Sequence, residues 1–177
     1  MNGQLMGALD RRKKKDRLRI EAPANATLDV LVEGAGRINF TAQLRSERQG
    51  INGPIDFAGE ELSGWQIFPL PMDDLAKLQF SRTNAARPGP SFYHGQFMLE
   101  ETGDTFLDTR GWGKGAVWIN GHALGRFWNL GPQQTLYVPA PFLKRGANEI
   151  IVFTQHNPEQ LTLQGLKTPV LDQLERE

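Results

Sequence analysis

A chain of 177 residues has room for one large domain or two small ones. Its 20 lysines and arginines balance 20 aspartates and glutamates, so no general electrostatic pull toward nucleic acid or an anionic membrane operates. Cysteine is absent, which removes disulfide frameworks, thiol nucleophiles and thiolate metal sites.

The opening residues, Met1 to Met6, lack the long apolar core of a signal peptide, and no apolar run approaches the ~20 residues of a membrane span. Lys13-Lys14-Lys15, with Arg11 and Arg12, is flanked by Asp10 and Asp16 and has no interleaved aromatic, so it reads as a solvated turn. From Leu18 the pattern is strand-like. Leu18-Arg19-Ile20 alternates, Pro23 to Asn25 turns, and Leu28-Asp29-Val30-Leu31-Val32 predicts a strand. Gly34 and Gly36 break it, Arg37-Ile38-Asn39-Phe40 alternates again, and Gly50 to Pro54 is a loop. Trp65 to Leu70 predicts a further strand with a proline exit. Met72 to Phe80 predicts a helix, with Asp73 and Asp74 in its first turn and Leu75 and Leu78 on one face.

Asn84 to Ser91 is a proline-marked loop. Phe92 to Leu99 then places Tyr93, Phe97 and Leu99 on one strand face, and Thr105 to Asp108 is a short strand. The stretch from Gly111 to Pro141 holds three of the four tryptophans. Within it Ala116-Val117-Trp118-Ile119 suits a pleated, half-buried surface, and Asn120-Gly121 supplies the positive φ angles of a tight hairpin turn. Gly125 and Gly131-Pro132 punctuate the return, and Leu136-Tyr137-Val138 resumes as a strand closed by prolines. Asn148 to Thr154 predicts a buried terminal strand, and Val170, Leu171 and Leu174 carry a weak helical pattern in a frayed tail. A hairpin this apolar cannot stand alone in water and predicts one wall of a β-sandwich.

The chain also resembles itself. Asn2-Gly3 and Leu5 to Gly7 fall on Asn120-Gly121 and Ala123 to Gly125 at an offset of 118 (120 minus 2), and Leu18, Ala22 and Pro23 fall on Leu136, Ala140 and Pro141. With a small slippage, Leu28 to Val32 matches Glu149 to Phe153. This predicts one complete and one partial copy of a β-module. In the second copy a long stretch, about 65–119, precedes the Asn-Gly turn, and in the first copy only Met1 does. The chain on this register reads as a fragment of a longer protein.

Chemistry-bearing constellations are sparse. His94, His122 and His156 show no metal-ligand spacing, no GxSxG elbow occurs, and Gly111 to Gly115 has neither phosphate-loop nor dinucleotide spacing. Glu100, Glu101, Asp104 and Asp108 do not nominate themselves as the two acids, about 5–10 Å apart, that glycoside hydrolysis needs. No catalytic, metal-binding or cofactor-binding residue is therefore expected. Trp112 and Trp128 border turns and, with Tyr93, are the candidates for carbohydrate contact. The competing reading of these rings is packing between sheets or against a partner domain.

Gly111-Trp112, Lys114-Gly115, Val117-Trp118, Asn120-Gly121, Leu124-Gly125-Arg126, Trp128 and the run Gly131-Pro132-Gln133 to Thr135-Leu136-Tyr137-Val138-Pro139 closely resemble the C-terminal β-sandwich region of family 35 β-galactosidases. Phe127 stands where tyrosine is frequent in that family. Upstream, Asn2-Gly3, Gly7 to Arg11, Leu31 to Glu33, Gly36 to Asn39 and Trp65 to Leu70 resemble it in the same order. The resemblance implies an all-β chain of galactose-binding-like jelly-roll sandwiches: residues 1–64 as the end of an incomplete first sandwich, 65–160 as a second, and 161–177 as a tail. It also implies a parent that removes terminal β-galactose with two glutamates on a (β/α)₈ barrel, and a barrel of ~250 residues cannot be housed here. The expected partners are that barrel and β-galactoside sugars, with no nucleic acid and no membrane. The chain alone is expected to be inactive. A free-standing carbohydrate-binding module is the alternative.

Overall fold

The computed structural model describes residues 1–34, 38–82, 85–131, 134–171 and 173. Expectations at Gly36 and Arg37, at Asn84, at the Pro132-Gln133 pair and at Leu174 lie outside these residues. The chain divides into two compact units, Met1–Pro71 and Met72–Glu177.

In the first unit, strand formation is confined among the described residues to a minimal hairpin. It joins β1 (Asp56–Phe57) to β2 (Glu60–Glu61) across Ala58 and Gly59, whose φ angles of 54° and 90° are both positive. The expected strands at Leu18–Ile20, Leu28–Val32 and Trp65–Leu70 do not form, nor does one over the described part of 37–40. A strand persists only when a neighbour takes up its N–H and C=O groups and a layer covers its apolar face. Neither is present for these segments. Ile67 is 88% exposed and Phe68 75%, and none of the described residues in this unit is buried. One bridge hints at a ladder: Asn2 N–H donates to the Thr27 carbonyl at 2.9 Å, and Thr27 N–H donates to Asn2 Oδ1 at 2.8 Å.

The second unit opens with Met72–Phe80, and the expected helix is absent. Asp74 Oδ1 accepts from Ala76 N–H at 3.0 Å, a local turn that competes with helix nucleation, and Met72 sits at φ 57°, outside helical space. Seven strands follow. β3 (Ser91–Leu99), β5 (Lys114–Ile119), β6 (His122–Trp128) and β8 (Gly146–Thr154) form an antiparallel sheet in the order β3-β8-β5-β6. β4 (Thr105–Asp108), β7 (Thr135–Val138) and β9 (Gln164–Leu166) form a second sheet in the order β7-β4-β9. The Asn148–Thr154 segment is thus a buried strand in the middle of its sheet, and it is not the last strand. Gln164–Leu166, placed by the sequence in the tail, hydrogen-bonds to β4.

The two sheets share one core. Val117, Ile119, Phe127 and Val152 come from the first sheet, Leu107, Leu136 and Val138 from the second, and Trp112 and Leu143 from the connections. Tyr93, Phe97 and Leu99 pack against it from one face of β3, as the alternation predicts. Each such side chain, taken fully from water, contributes about 1.5–3 kcal/mol. A glycine within β5 serves this packing. A Cβ at Gly115 would lie 1.8 Å from the Phe153 carbonyl oxygen and 2.9 Å from the Phe127 ring, so strand β8 and that ring can close in only on a bare backbone.

Candidate functional site

The β5–β6 hairpin turns at Asn120 (φ 50°) and Gly121 (φ 81°), the two positive angles of the expected tight turn. A bulge follows: Val117 pairs with Gly125 and Trp118 with Ala123, leaving Leu124 as the extra residue on β6. Trp112 is 4% exposed, lies in the core and donates its indole N–H to the Thr162 carbonyl at 2.9 Å. Tyr93 meets Trp112 edge to face at 5.4 Å, and its hydroxyl accepts from Arg87 N–H at 2.9 Å. Trp128 is half-buried with the Lys114 ammonium 4.4 Å from its ring centre. The fold therefore brings two of the three candidate rings together, Trp112 buried in the core and Tyr93 half-buried against it, while Trp128 is half-buried beside Lys114.

Trp118 is buried, as a mid-strand tryptophan should be, but on the sheet face turned away from the main core. There Phe92 packs on Phe153 at 4.8 Å and on Trp118 at 6.4 Å, and Phe80 lies 5.0 Å from His94. Farther along the same face His94 Nε2 and Glu149 Oε1 are 2.8 Å apart.

Beside that pair, at the tip of the hairpin, opens a concavity of about 430 Å³. One wall is Asn120, Gly121 and Asn148; the other is Gln96, Lys144, Ala147 and Glu149. The first wall is locked by a closed set of hydrogen bonds. Asn120 Nδ2 donates to the Phe142 carbonyl (2.7 Å) and to Asn148 Oδ1 (2.8 Å), while its Oδ1 accepts from Glu149 N–H at 3.0 Å. Asn148 Oδ1 also accepts from Lys144 N–H at 2.8 Å, and its Nδ2 donates to the carbonyls of Lys144 (2.7 Å) and Gly146 (3.1 Å). The sequence showed Asn120 only as a turn residue. Gln96, Lys144 and Glu149 carry no motif; Lys144 and Glu149 are close in sequence, and the β3–β8 register brings Gln96 opposite Glu149.

The remaining candidate acids have structural tasks. Asp104 accepts from Ala140 N–H at 2.8 Å and from the Tyr137 hydroxyl, which hold its carboxyl below the ordinary range and push the Tyr137 phenol up. Asp108 takes a two-pronged contact from Arg110, Nε to Oδ1 at 2.9 Å and Nη2 to Oδ2 at 2.6 Å, and these bonds lower its pKa. Among the described residues no group of three or more His, Asp or Glu could hold a metal ion. No helix among them is long and apolar enough to cross a membrane.

Two antiparallel sheets around one core define an all-β domain of the β-sandwich class. Comparison with known proteins gives the family. Residues 90–148 match the β-galactosidase galactose-binding domain, and residues 1–71 match the β-galactosidase first all-beta domain. The chain is 42% identical to a β-galactosidase of Xanthomonas manihotis over 134 residues, 75% of this chain and 22% of that protein. It is 35% identical to β-galactosidase 17 of Arabidopsis thaliana over 168 residues, 83% of this chain and 24% of that one. It is 36% identical to a β-galactosidase-1-like protein of Mus musculus over 182 residues, 97% of this chain and 28% of the relative. The chain belongs with the non-catalytic all-β domains of the β-galactosidase family, and it spans about a quarter of the length of these relatives.

Proposed function

We propose that this chain is the non-catalytic C-terminal portion of a β-galactosidase-like glycoside hydrolase, which packs on and supports a (β/α)₈ catalytic barrel. The parent reaction is hydrolysis of terminal β-galactosides. Residues 1–64 complete a sandwich begun elsewhere in the parent, and 65–160 form a second one, to whose smaller sheet Gln164–Leu166 of the following segment adds a strand. The observation that carries this reading is the state of the first unit. It matches a β-galactosidase all-beta domain over residues 1–71, yet Val30, Val32, Phe40, Ile67, Phe68 and Leu70 all stand exposed. Apolar side chains at strand-like spacing, without a layer over them, call for a covering partner.

The test uses the Xanthomonas manihotis relative with its matching region removed and this chain added back in trans. The pure chain is expected to release no product from an aryl β-galactoside, and to raise the melting temperature of the truncated relative. Turnover by the pure chain would overturn the reading. So would a first unit whose amides are protected from exchange in the isolated chain, because such a unit needs no cover.

A further inference from the structure

Asn-Gly occurs three times in the chain, at Asn2-Gly3, Asn52-Gly53 and Asn120-Gly121. Such a pair can consume its own side-chain amide. The glycine nitrogen, with no Cβ beside it, attacks the asparagine Cγ. An N–Cγ bond forms, the Cγ–Nδ2 bond breaks and ammonia leaves, which closes a five-membered succinimide. Water then opens the ring at either carbonyl and gives aspartate or isoaspartate, whose main chain runs through the former side chain. By sequence the three pairs are equivalent, because a glycine supplies the attacking nitrogen each time. Any difference among them falls to what holds the asparagine side chain.

The structure holds the three differently. Asn120 is half-buried, and its Nδ2 donates to the Phe142 carbonyl at 2.7 Å and to Asn148 Oδ1 at 2.8 Å, while its Oδ1 accepts from Glu149 N–H at 3.0 Å. Turning this amide toward Gly121 breaks those bonds together. Asn2 is exposed and anchored through its oxygen, which accepts from Thr27 N–H at 2.8 Å, in a turn closed by Gln4 N–H on the Met1 carbonyl at 2.9 Å. Asn52 is exposed and held by a longer bond, Nδ2 to the Arg48 carbonyl at 3.1 Å, where water competes for the same carbonyl. A Cβ built at Gly53 meets nothing within 4 Å, so nothing crowds the attacking nitrogen.

From this contrast we infer that Asn52-Gly53 is a site of spontaneous deamidation and isomerisation, and that the hydrogen bonds on Asn120 protect the hairpin tip from the same reaction. Asn52 reacts first, Asn2 next and Asn120 last. The reaction gives a chain with balanced charge one extra acid, just ahead of Asp56 and the Glu60-Glu61 pair of the β1–β2 hairpin. Isoaspartate also lengthens the main chain leading into that hairpin by a methylene.

The folded 177-residue chain, aged in mildly alkaline buffer and sampled by peptide mass spectrometry, tests the order. Trypsin places the three pairs in separate peptides, 1–11, 49–77 and 115–126. Peptide 49–77 is expected to convert first and to yield both aspartate and isoaspartate. Peptide 115–126 is expected to convert at least about tenfold more slowly, because its amide must break its bonds before it can react. In urea the three rates are expected to converge, since the unfolded chain keeps the dipeptides and loses the bonds. Gly53 lies outside the left-handed region and has open space beside it, so Gly53→Ala should fold normally. That variant is expected to slow peptide 49–77 severalfold and to leave the other two unchanged. Conversion of Asn120 as fast as Asn52 in the folded chain would overturn the inference. So would a native order that persists in urea, or aspartate without isoaspartate at position 52.

Discussion

Asn148 shows how much one polar side chain carries in this sandwich. It is 2% exposed, and every hydrogen-bonding position of its amide is filled by Asn120, Lys144 or Gly146. Replacing it with leucine keeps the approximate volume but orphans those partners, and each buried orphan costs about 1–3 kcal/mol. Asn148→Leu is therefore expected to lower unfolding free energy by at least about 3 kcal/mol in urea titrations, well beyond the effect of Glu149→Ala on the exposed face. Asp108 gives a pH-dependent counterpart. Its folded pKa lies below its unfolded value because Arg110 hydrogen-bonds the ionised form. The contribution is present above the ordinary aspartate pKa of about 3.9 and is lost as pH falls through the depressed folded value. Asp108→Asn should flatten that part of the acid limb in thermal melts while changing little of its shape above pH 5. Of these residues the sequence revealed Asn120, because turn chemistry is local. Asn148 was legible only as a strand residue, since its partner across the sheet is chosen by register.

At the level of elements, legibility followed the presence of a neighbour. The segments at Phe92–Leu99, Thr105–Asp108, Ala116–Ile119 and Leu136–Val138 form the strands their patterns predict, and each pairs with another strand. Trp65–Leu70 has an equally persuasive pattern and forms no strand, because no ladder receives it. Met72–Phe80 fails for a different reason: the carboxylate expected to favour a helix start instead closes a turn with Ala76. β9 could not be foreseen, since Gln164-Gly165-Leu166 has no alternation of its own and is ordered by the free edge of β4. Hydrogen exchange separates the two outcomes. Amides of β8, which has a strand on each side, should be the slowest in the chain, whereas those at 28–32 and 65–70 should exchange near the rates of an unstructured peptide. Comparable protection of Trp65–Leu70 and β8 in the isolated chain would contradict this account.

Across the whole molecule the two units differ in whether they own an interior. The second buries Val117, Val138 and Phe127 almost completely; the first buries no described residue. The C-terminal segment is tied down as well. Val170 N–H donates to Thr135 Oγ1 at 3.1 Å and Arg110 Nη1 donates to Gln173 Oε1 at 2.6 Å, contacts that a reading based on charge and weak periodicity assigns to fraying. Fold class was legible because it rests on turn dipeptides and strand periodicity, whereas accessory character was implied only by the family resemblance of the motifs between Gly111 and Pro139. The polar concavity was not, because it exists only once three separate segments, at Gln96, at Asn120-Gly121 and at 144–149, are brought together.

The order β3-β8-β5-β6 has a kinetic consequence. The inner strand beside β3 is the last of the four to leave the ribosome, and Ser91 waits for Thr154 while Leu99 waits for Gly146. Until that late strand arrives, β3 has no partner in the finished sheet and β5–β6 is a lone hairpin, marginal in water. Closing so many distant pairs at once makes folding slow. A nascent chain stalled short of Gly146 should hold its tryptophan hairpin open to chaperones and to other hairpins like it.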